Sequence, residues 1–290
     1  MKPSPFAYHR PDDLAGALAM LAEHGYDASV LAGGQSLVPV LSLRVARPTH
    51  VIDLNCIPGL DELRVENGSL VVGPMVRQRT ALESELVRLE CPLLAEALEH
   101  VGHPETRNRG TVVGSLVHAD PAAEIGTVAV ACDAEVVLRS CDGDRTERAA
   151  DFLLAPYMTT KRPDELVVGL RLPRNSAGWG WAFQEIARRH HDFAIVGVAV
   201  GIRLTDDRVA EARIAVAGAG GTALRAPRAE ELLHGAEPTR EAFAEAAACA
   251  ATEIDPPTDV LATAAYRRHV ASVLTQRSLQ VATARAKGER

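Results

Sequence analysis

Two short segments of small residues interrupt apolar stretches of this 290-residue chain: residues 32–36 (AGGQS, the first segment) and residues 111–115 (TVVGS, the second segment). Glycine reaches backbone conformations closed to other residues and lets another group approach the main chain. Each segment is therefore either a turn that ends a strand or a concave set of N–H groups that receives an anion such as a diphosphate. For the first segment taken alone, the turn is the commoner interpretation.

The residues around the first segment predict a small β-α-β unit. A helix is expected over residues 12–24, because Asp12 or Asp13 can cap it and Gly25 fits the position just past its end. Short buried strands are expected at residues 29–32 and 51–54, on either side of the glycines. The first segment would then lie at the end of the first of these strands.

The rest of the chain predicts two further units. Alternating apolar residues on both sides of Asn67-Gly68 indicate a hairpin of strands 63–65 and 70–72. Further elements are expected, in chain order, as helices 80–89, 92–101 and 122–131, strands 134–139 and 166–172, a turn at 142–144, antiparallel strands 194–204 and 208–217, and helices near 239–253 and 264–286. With a linker at 173–178, the expected division is 1–57, 58–173 and 179–290, in an α+β fold.

Composition excludes several classes of protein. The net charge is -7 and no run of Lys and Arg is long enough to follow a phosphate backbone, so no nucleic-acid partner is expected. No apolar leader or long apolar run occurs, so we expect no integral membrane segment and a cytoplasmic protein. Five scattered cysteines without a C-x-x-C pair indicate a reducing compartment and argue against a zinc or iron–sulfur site held by this chain.

Other polar residues near the glycines have two interpretations each. Asp120 and Glu124 could accept hydrogen bonds from ribose or ribityl hydroxyls, or could cap and charge the start of helix 122–131. His190-His191-Asp192 is expected in a loop rather than at a metal, and residues 218–221 do not fit a dinucleotide fingerprint. No nucleophile context is evident, so neither a catalytic residue nor a metal ligand is predicted.

Long stretches of the chain resemble the FAD-binding medium subunits of the molybdenum hydroxylases, the family of carbon monoxide dehydrogenase and xanthine dehydrogenase flavoproteins. The resemblance runs in order through AGGQSLVPVLSLRVARPTHVIDLN, RNRGTVVGSLVHADPAAE, ADFLLAPYMTT, DELVVGLRLP, RRHHDFAIVGVAV, ARIAVAGAG and YRRHVASVLTQR. It implies a vanillyl-alcohol-oxidase (PCMH)-type FAD-binding fold. Two α+β subdomains would hold FAD between them, and a C-terminal domain with a small antiparallel sheet and helices would cover the flavin.

The resemblance also implies cofactor contacts, position by position. The first segment would contact the FAD diphosphate through Ala32, Gly33, Gly34, Gln35 and Ser36. The second segment would form the other FAD loop through Thr111, Val112, Val113, Gly114 and Ser115. Asp120 and Glu124 are candidates for FAD hydroxyl contacts, and Phe193 lies either against the isoalloxazine or in the core.

Two positions depart from the family pattern. The second segment is commonly T-I-G-G-S in relatives, whereas Val113 here carries a β-branched side chain. Relatives also often carry a lysine where this chain has Gln184-Glu185-Ile186. We therefore expect the first segment, which keeps both glycines, to make the closer diphosphate contact.

The function that the resemblance implies is electron transfer within a complex. A large partner subunit would carry the molybdenum cofactor, and a small partner with 2Fe–2S clusters would pass electrons to FAD in this chain, within a dimer of heterotrimers. The flavin would deliver them to a quinone, O2 or NAD. Two alternatives remain: a self-sufficient FAD oxidase or dehydrogenase of a small substrate, and an assembly subunit without FAD.

Overall fold

The computed structural model describes residues 2–289 and contains three sheet-based units in chain order. The first unit is formed by β1 (Ala7–His9), α1 (Leu14–His24), a 3-10 turn (Gly25–Asp27), β2 (Ala28–Leu31), α2 (Leu37–Ser42) and β3 (His50–Asp53). Its strands form a parallel sheet in the order β1-β3-β2. The expected β-α-β unit is therefore present, with a further short helix directly after the first segment.

Helix α1 shows how local sequence positions this unit. The Asp13 carboxylate accepts a hydrogen bond from the Gly16 N–H at 2.7 Å, and Gly25 ends the helix at φ +51°. Leu18 and Leu21 lie on the buried face and pack in one cluster with Ile52 of β3. The capping residues predicted at both ends are thus confirmed, and the helix begins at Leu14 because Asp13 is its N-cap.

The second unit is built on an antiparallel sheet in the order β4-β5-β10-β6-β7. Its elements are β4 (Leu63–Glu66), β5 (Ser69–Val72), α3 (Gln78–Glu83), α4 (Glu85–Glu90), α5 (Pro92–His100), α6 (Pro104–Arg109), α7 (Val112–His118), α8 (Glu124–Ala131), β6 (Glu135–Ser140), β7 (Gly143–Arg148), α9 (Ala149–Phe152), β8 (Leu153–Ala155), β9 (Met158–Thr159) and β10 (Leu166–Pro173). Asn67 and Gly68 form the predicted hairpin turn, both at positive φ.

Three predictions for this unit need correction. The helix expected over 80–89 is two helices, because Ser84 leaves the helical conformation and accepts from the Val87 N–H as the N-cap of α4. The second segment is not a loop: Thr111 is the N-cap of α7 and the other four residues form its first turns. Strand β7 begins inside the turn predicted at 142–144. The strand was not predicted, because its residues are polar.

The third unit carries an antiparallel sheet in the order β11-β12-β13-β14. It consists of β11 (Trp179–Ala187), β12 (Ala194–Thr205), β13 (Arg208–Ala217), β14 (Leu224–Arg225), α10 (Pro227–Leu233), α11 (Arg240–Glu253) and α12 (Ala264–Ala286). The predicted long hairpin and both terminal helices are present. Strand β11 and helix α10 were not predicted.

The third unit packs against the second through the sheet face opposite its helices. Helix α12 covers one face of β11 and β12. On the other face, Trp181, Phe183 and Ala199 join the core cluster that contains α5 and α8. The linker is held as well, because the Asn175 side chain accepts from the Trp181 indole at 3.1 Å and the Arg174 guanidinium donates to buried Glu90. The second and third units thus share one apolar cluster.

Membrane-spanning helices were sought among residues 2–289, and none of the helices there is both long and apolar enough to cross a bilayer.

Candidate functional site

A cavity of about 550 Å³ opens where the three units meet. Volumes of this order are typical of cofactor and small-molecule sites. The first segment and α2 contribute to its lining, as do α7 and the start of α8. Residues 191–193, just before β12, complete the lining from the third unit.

The first segment is a tight loop between β2 and α2. Gly34 has φ +75°, a left-handed conformation that glycine adopts without cost. The backbone N–H groups of residues 33–36 donate to no acceptor elsewhere in residues 2–289. Unpaired N–H groups beside a cavity are suited to accept an anionic ligand.

The second segment offers fewer free donors. Thr111 Oγ1 accepts from the Gly114 N–H at 3.0 Å, and the Thr111 carbonyl accepts from Ser115 N–H at 3.1 Å. The Val112 N–H donates to the Val76 carbonyl at 3.1 Å. These bonds hold the helix start in place, so most of the segment's backbone donors are already satisfied. The first segment therefore has more unpaired backbone donors than the second.

The two segments touch each other at Gly33. A Cβ on Gly33 would overlap the Arg109 carbonyl oxygen and lie 2.7 Å from Gly110 Cα. Only glycine allows this close approach of two backbones. The contact brings residues almost 80 positions apart in the sequence to the same wall of the cavity.

Asn55 and Arg77, which do not line the cavity, hold this contact in place through hydrogen bonds. The Asn55 amide donates to the Ala32 carbonyl at 3.0 Å, and its oxygen accepts from the Arg77 guanidinium at 2.6 Å. Arg77 also donates to the carbonyl of Arg109. The Asp53 carboxylate accepts a hydrogen bond from the Tyr8 hydroxyl and another from the Asn55 N–H, the second at 2.9 Å. One polar network therefore sets the position of both segments.

Glu124 lines the cavity from the first turn of α8, a helix whose residues are all buried. Only 7% of Glu124 is exposed, and this burial raises the pKa of its carboxyl to about 7. Asp120 lies nearer the surface, where it accepts from the Ala122 N–H at 2.9 Å rather than capping α8, whose N-cap is Ala123. The cavity thus carries two acids in different environments.

A third acid, Glu185, lies outside the cavity lining but close enough to affect Glu124. Glu185 of β11 is 3.4 Å from His100 of α5, and this hydrogen-bonded carboxylate raises the pKa of His100. The other oxygen of Glu185 is buried without a partner among the described residues. The negative charge of Glu185 adds to the effect of burial on the pKa of Glu124, whereas His100 opposes it. Glu185 stands in the sequence stretch where relatives often have lysine, but it does not line the cavity.

Phe193 and Lys161 occupy the lining with contrasting chemistry. Phe193 is 70% exposed and lines the cavity, so the interpretation of Phe193 as a core aromatic is wrong. Lys161 donates to the Arg162 and Glu165 carbonyls at 2.8 and 3.0 Å, and burial lowers the pKa of its ammonium group. Phe193 offers a flat apolar surface to an aromatic ligand, and Lys161 offers a positive charge.

The structure brings together all but one of the residues predicted from the sequence. Those that line the cavity are Ala32, Gly33, Gly34, Gln35, Ser36, Thr111, Val113, Gly114, Ser115, Asp120, Glu124 and Phe193. Val112 does not, because it turns into the core and is fully buried. Sequence analysis missed Lys161, Asn55 and Arg77, whose positions carry no motif of their own.

The donor set fits a flavin nucleotide. Unpaired N–H groups beside Gly34 suit a diphosphate, and the acids Asp120 and Glu124 suit sugar or ribityl hydroxyls. A cavity lined mainly by apolar side chains, with Phe193 among them, suits an aromatic ring system. The α+β fold and this cavity together define a nucleotide-binding flavoprotein.

Comparisons with known proteins show the family. Residues 4–175 match the FAD binding domain in molybdopterin dehydrogenase, and residues 181–282 match the CO dehydrogenase flavoprotein C-terminal domain. The chain belongs to the family of FAD-binding medium subunits of the molybdenum hydroxylases, and it is an FAD-dependent oxidoreductase subunit with a PCMH-type FAD-binding fold.

Similar proteins align over nearly the whole chain. The 6-hydroxypseudooxynicotine dehydrogenase complex subunit alpha of Paenarthrobacter nicotinovorans is 38% identical, with 99% of this chain and 97% of that protein covered. The carbon monoxide dehydrogenase medium chain of Hydrogenophaga pseudoflava is 37% identical, with 98% and 99% covered. A solved structure of the Hydrogenophaga pseudoflava carbon monoxide dehydrogenase has a chain that superposes with a TM-score of 0.95 at 39% identity, over 98% of this chain and 99% of that one.

Proposed function

We propose that this chain is the electron-transfer subunit of a molybdenum hydroxylase. It would hold FAD in the cavity, accept electrons from the 2Fe–2S clusters of a small partner subunit and pass them to an external acceptor. A large partner subunit with the molybdenum cofactor would oxidise the substrate. When bound, FAD supplies the redox chemistry, which a flavin carries in one- or two-electron steps.

The observation that carries the proposal is the cavity lined by all three units. The residues of this chain bind and orient rather than react. Residues 33–36 would donate their unpaired N–H groups to the diphosphate, and the carboxyl of Glu124, which lines the same cavity, would accept a hydroxyl hydrogen bond. The third unit contributes the exposed Phe193 ring, which would lie against the flavin ring system.

The cysteines support a division of labour among subunits. Cys91 and Cys132 are buried in the core, and Cys56 and Cys141 are exposed. Within residues 2–289 the cysteines form no cluster of three or more that could hold a metal centre. Iron–sulfur clusters need several thiolates in one place. The proposal therefore places the clusters in a partner.

The relatives support a partner that selects the substrate. One relative is named for 6-hydroxypseudooxynicotine and another for carbon monoxide, yet both align with almost all of this chain. Such different substrates are consistent with recognition outside this subunit. For this chain we propose assembly with a large and a small subunit into a dimer of heterotrimers in the cytoplasm.

The test uses the full chain loaded with FAD and mixed with the chemically reduced 2Fe–2S subunit of the proposed complex. Loss of the oxidised flavin absorption should follow mixing and should require that subunit. Flavin that stays oxidised in contact with the reduced clusters would contradict the proposal. Bleaching by a small organic substrate without any partner would instead indicate the self-sufficient oxidase or dehydrogenase.

Flavin content tests the alternative of an assembly subunit. The purified chain should bind FAD at one equivalent, since its cavity is lined by the predicted residues. A folded chain that takes up no FAD, free or co-expressed with its partners, would favour the assembly role. The Gly34→Val variant provides a protein of the same fold with an impaired site.

A further inference from the structure

Three histidines far apart in the sequence meet at one end of the first unit. They are His9 at the end of β1, His24 in the last turn of α1 and His50 at the start of β3. Each offers a ring nitrogen, and these nitrogens all lie within 4.8 Å of one another. The cluster lies outside the FAD cavity, whose lining contains none of the three.

Topology explains why the three side chains converge. Strands β1 and β3 are parallel neighbours, and Ala7 pairs with His50. Paired residues point to the same face of a sheet, and His9 lies two positions after Ala7, so His9 and His50 share that face. Ile52, on the same face, packs with Leu21 of α1. Helix α1 therefore crosses this face and places His24 over His50.

The rings are packed closely. His9 Nε2 lies 2.8 Å from His50 Nδ1, and the His24 and His50 rings stack with centroids 3.7 Å apart. All three side chains are half-buried. Among the described residues, no carboxylate joins the three imidazoles at this distance. Neutral imidazole nitrogens are the commonest metal ligands in proteins, so three of them at this distance can serve one ion.

We propose that His9, His24 and His50 bind a single divalent transition-metal ion, Zn²⁺ by preference. Imidazole suits zinc, and three protein nitrogens with water in the fourth position are a common zinc arrangement. At Zn–N distances of about 2.0–2.1 Å, the ligand atoms of a tetrahedral site lie roughly 3.3 Å apart. His9 Nε2 and His50 Nδ1 must therefore move apart by about half an ångström. His24 must rotate out of its stack, which its partial exposure allows.

The metal would act as a clip. It would join β1, the end of α1 and the first residue of β3. The pairing of β1 with β3 is only three residues long and does not include α1. Our expectation that this chain holds no zinc came from the spacing of its cysteines. Histidines 9, 24 and 50 have no short spacing that would have indicated a site.

The test uses the full chain loaded with FAD and prepared without a polyhistidine tag. After removal of metals by a chelator, Zn²⁺ is titrated by calorimetry, and Co²⁺ is used as a spectroscopic substitute. We expect one ion per chain, visible absorption typical of tetrahedral Co²⁺, and a higher thermal midpoint with Zn²⁺. Because even an indirect partner of a metal typically contributes about tenfold in affinity, His24→Gln and His50→Gln should weaken binding by at least about tenfold.

The matched control is His190→Gln, an exposed residue that lies beside His191 in another histidine pair. It should bind Zn²⁺ like the wild type. Absence of stoichiometric binding, or binding that survives His24→Gln and His50→Gln but is lost in His190→Gln, would overturn the proposal. Circular dichroism of each variant separates a lost ligand from a lost fold, and a thermal midpoint that rises with Zn²⁺ only in proteins with all three histidines supports the clip.

Discussion

Gly34 shows how a single backbone conformation prepares the flavin site. At φ +75° an L side chain is strained, and a Cβ there would lie 3.2 Å from side-chain atoms of both Leu31 and Val38. The loop could relieve this strain only by changing its φ, which would redirect the neighbouring N–H groups. Those groups are the ones left without protein acceptors.

We therefore predict that Gly34→Val loses FAD while it keeps its fold. The left-handed conformation costs about 1–2 kcal/mol for a residue with a Cβ, a β-branched side chain adds to this, and each 1.4 kcal/mol corresponds to tenfold in affinity. Flavin absorption per folded chain should fall to about a tenth or less at limiting FAD.

The matched control is Gly68→Val. Gly68 has a similar φ, +77°, in the hairpin between β4 and β5, with open space around it and no part in the cavity. It should show the same loss of stability and full flavin content. Equal flavin content in both variants would mean that the first segment does not hold the diphosphate.

Burial favours the protonated form of Glu124, whereas the proposed contact with FAD hydroxyls uses its carboxyl as a hydrogen-bond acceptor. Its ordinary pKa of 4.5 is raised to about 7 in the fold, so the folded chain binds more protons than the unfolded chain between these values. Stability contributed by the protonated form is therefore lost as pH rises from about 4.5 to about 7. Above that range the charged carboxylate remains buried at a cost.

Glu124→Gln should accordingly stabilise the flavin-free chain and weaken FAD. The free energy of unfolding at pH 8 should rise by at most about 3 kcal/mol relative to wild type, and this difference should shrink toward pH 4.5. Loss of a charged acceptor should weaken FAD by about 10- to 100-fold. Denaturant unfolding at several pH values and flavin titration measure the two effects, and a pH-independent difference would rule out this carboxyl as the titrating group.

At the scale of elements, Asn55 and Arg77 act as positioning residues. Asn55 follows β3, and Arg77 precedes α3 and donates to the Asn55 side chain. Asn55 donates to the carbonyl of Ala32 in the first segment, and Arg77 donates to the carbonyl of Arg109 just before the second. Neither residue lines the cavity. Their effect on a ligand must therefore pass through the backbone that they hold.

Arg77→Met should weaken FAD by about tenfold and lower the free energy of unfolding by about 1–3 kcal/mol, because it removes these hydrogen bonds and retains the length of the side chain. Arg79→Met in the adjacent helix α3 is the control, since exposed Arg79 pairs only with Glu83 and Asn108 near the surface. Flavin affinity of Arg77→Met equal to that of Arg79→Met would show that the two segments keep their places without the network.

Local sequence signals predicted the elements that depend on local physics. Asp13, Gly25 and Asn67-Gly68 mark a helix start, a helix end and a hairpin, and each is found as expected. Strand β7 has alternating charged residues, and its pairing with β6 is a long-range condition that no window of sequence contains. Residues 111–115 became a helix start because Thr111 caps it, a role that their resemblance to a loop concealed.

The residues of the candidate site show the same difference between those with a local sequence pattern and those placed only by the fold. Twelve of the thirteen residues predicted to contact the cofactor line the cavity, and eleven of them belong to the two motifs and their flanks, where the family pattern is dense. Lys161 and Arg77 have no such pattern: each is one of many basic residues, and only the fold brings it to the cavity or behind it. The histidines of the proposed metal clip were invisible for the same reason.

At the scale of the whole molecule, the shared core couples the third unit to the second. Helix α8 is buried on all sides, because the second unit surrounds it on one side and strands β12 and β13 on the other. Arg285 of α12 adds a polar tie, with hydrogen bonds to Glu96 of α5 at 2.6 and 3.2 Å. Separation of the units would expose a large apolar surface to water.

We predict that the flavin-free chain unfolds in one transition. Fluorescence of Trp179 and Trp181, which stack at the junction with ring centroids 4.8 Å apart, should change at the same denaturant concentration as far-UV circular dichroism. A fragment that ends at residue 178 should associate, because α5 and α8 would lose their cover. Two separated transitions, or a monomeric and stable fragment, would show that the units fold independently.

The fastened linker has a consequence for the speed of electron transfer. Arg174 ties the linker to Glu90 of the second unit and Asn175 ties it to Trp181 of the third, the unit from which Phe193 reaches the cavity. A redox centre in such a frame keeps a constant distance to the protein surface. If the proposed electron transfer takes place, movement of the third unit would therefore not change the distance over which an electron passes between the flavin and a docked partner.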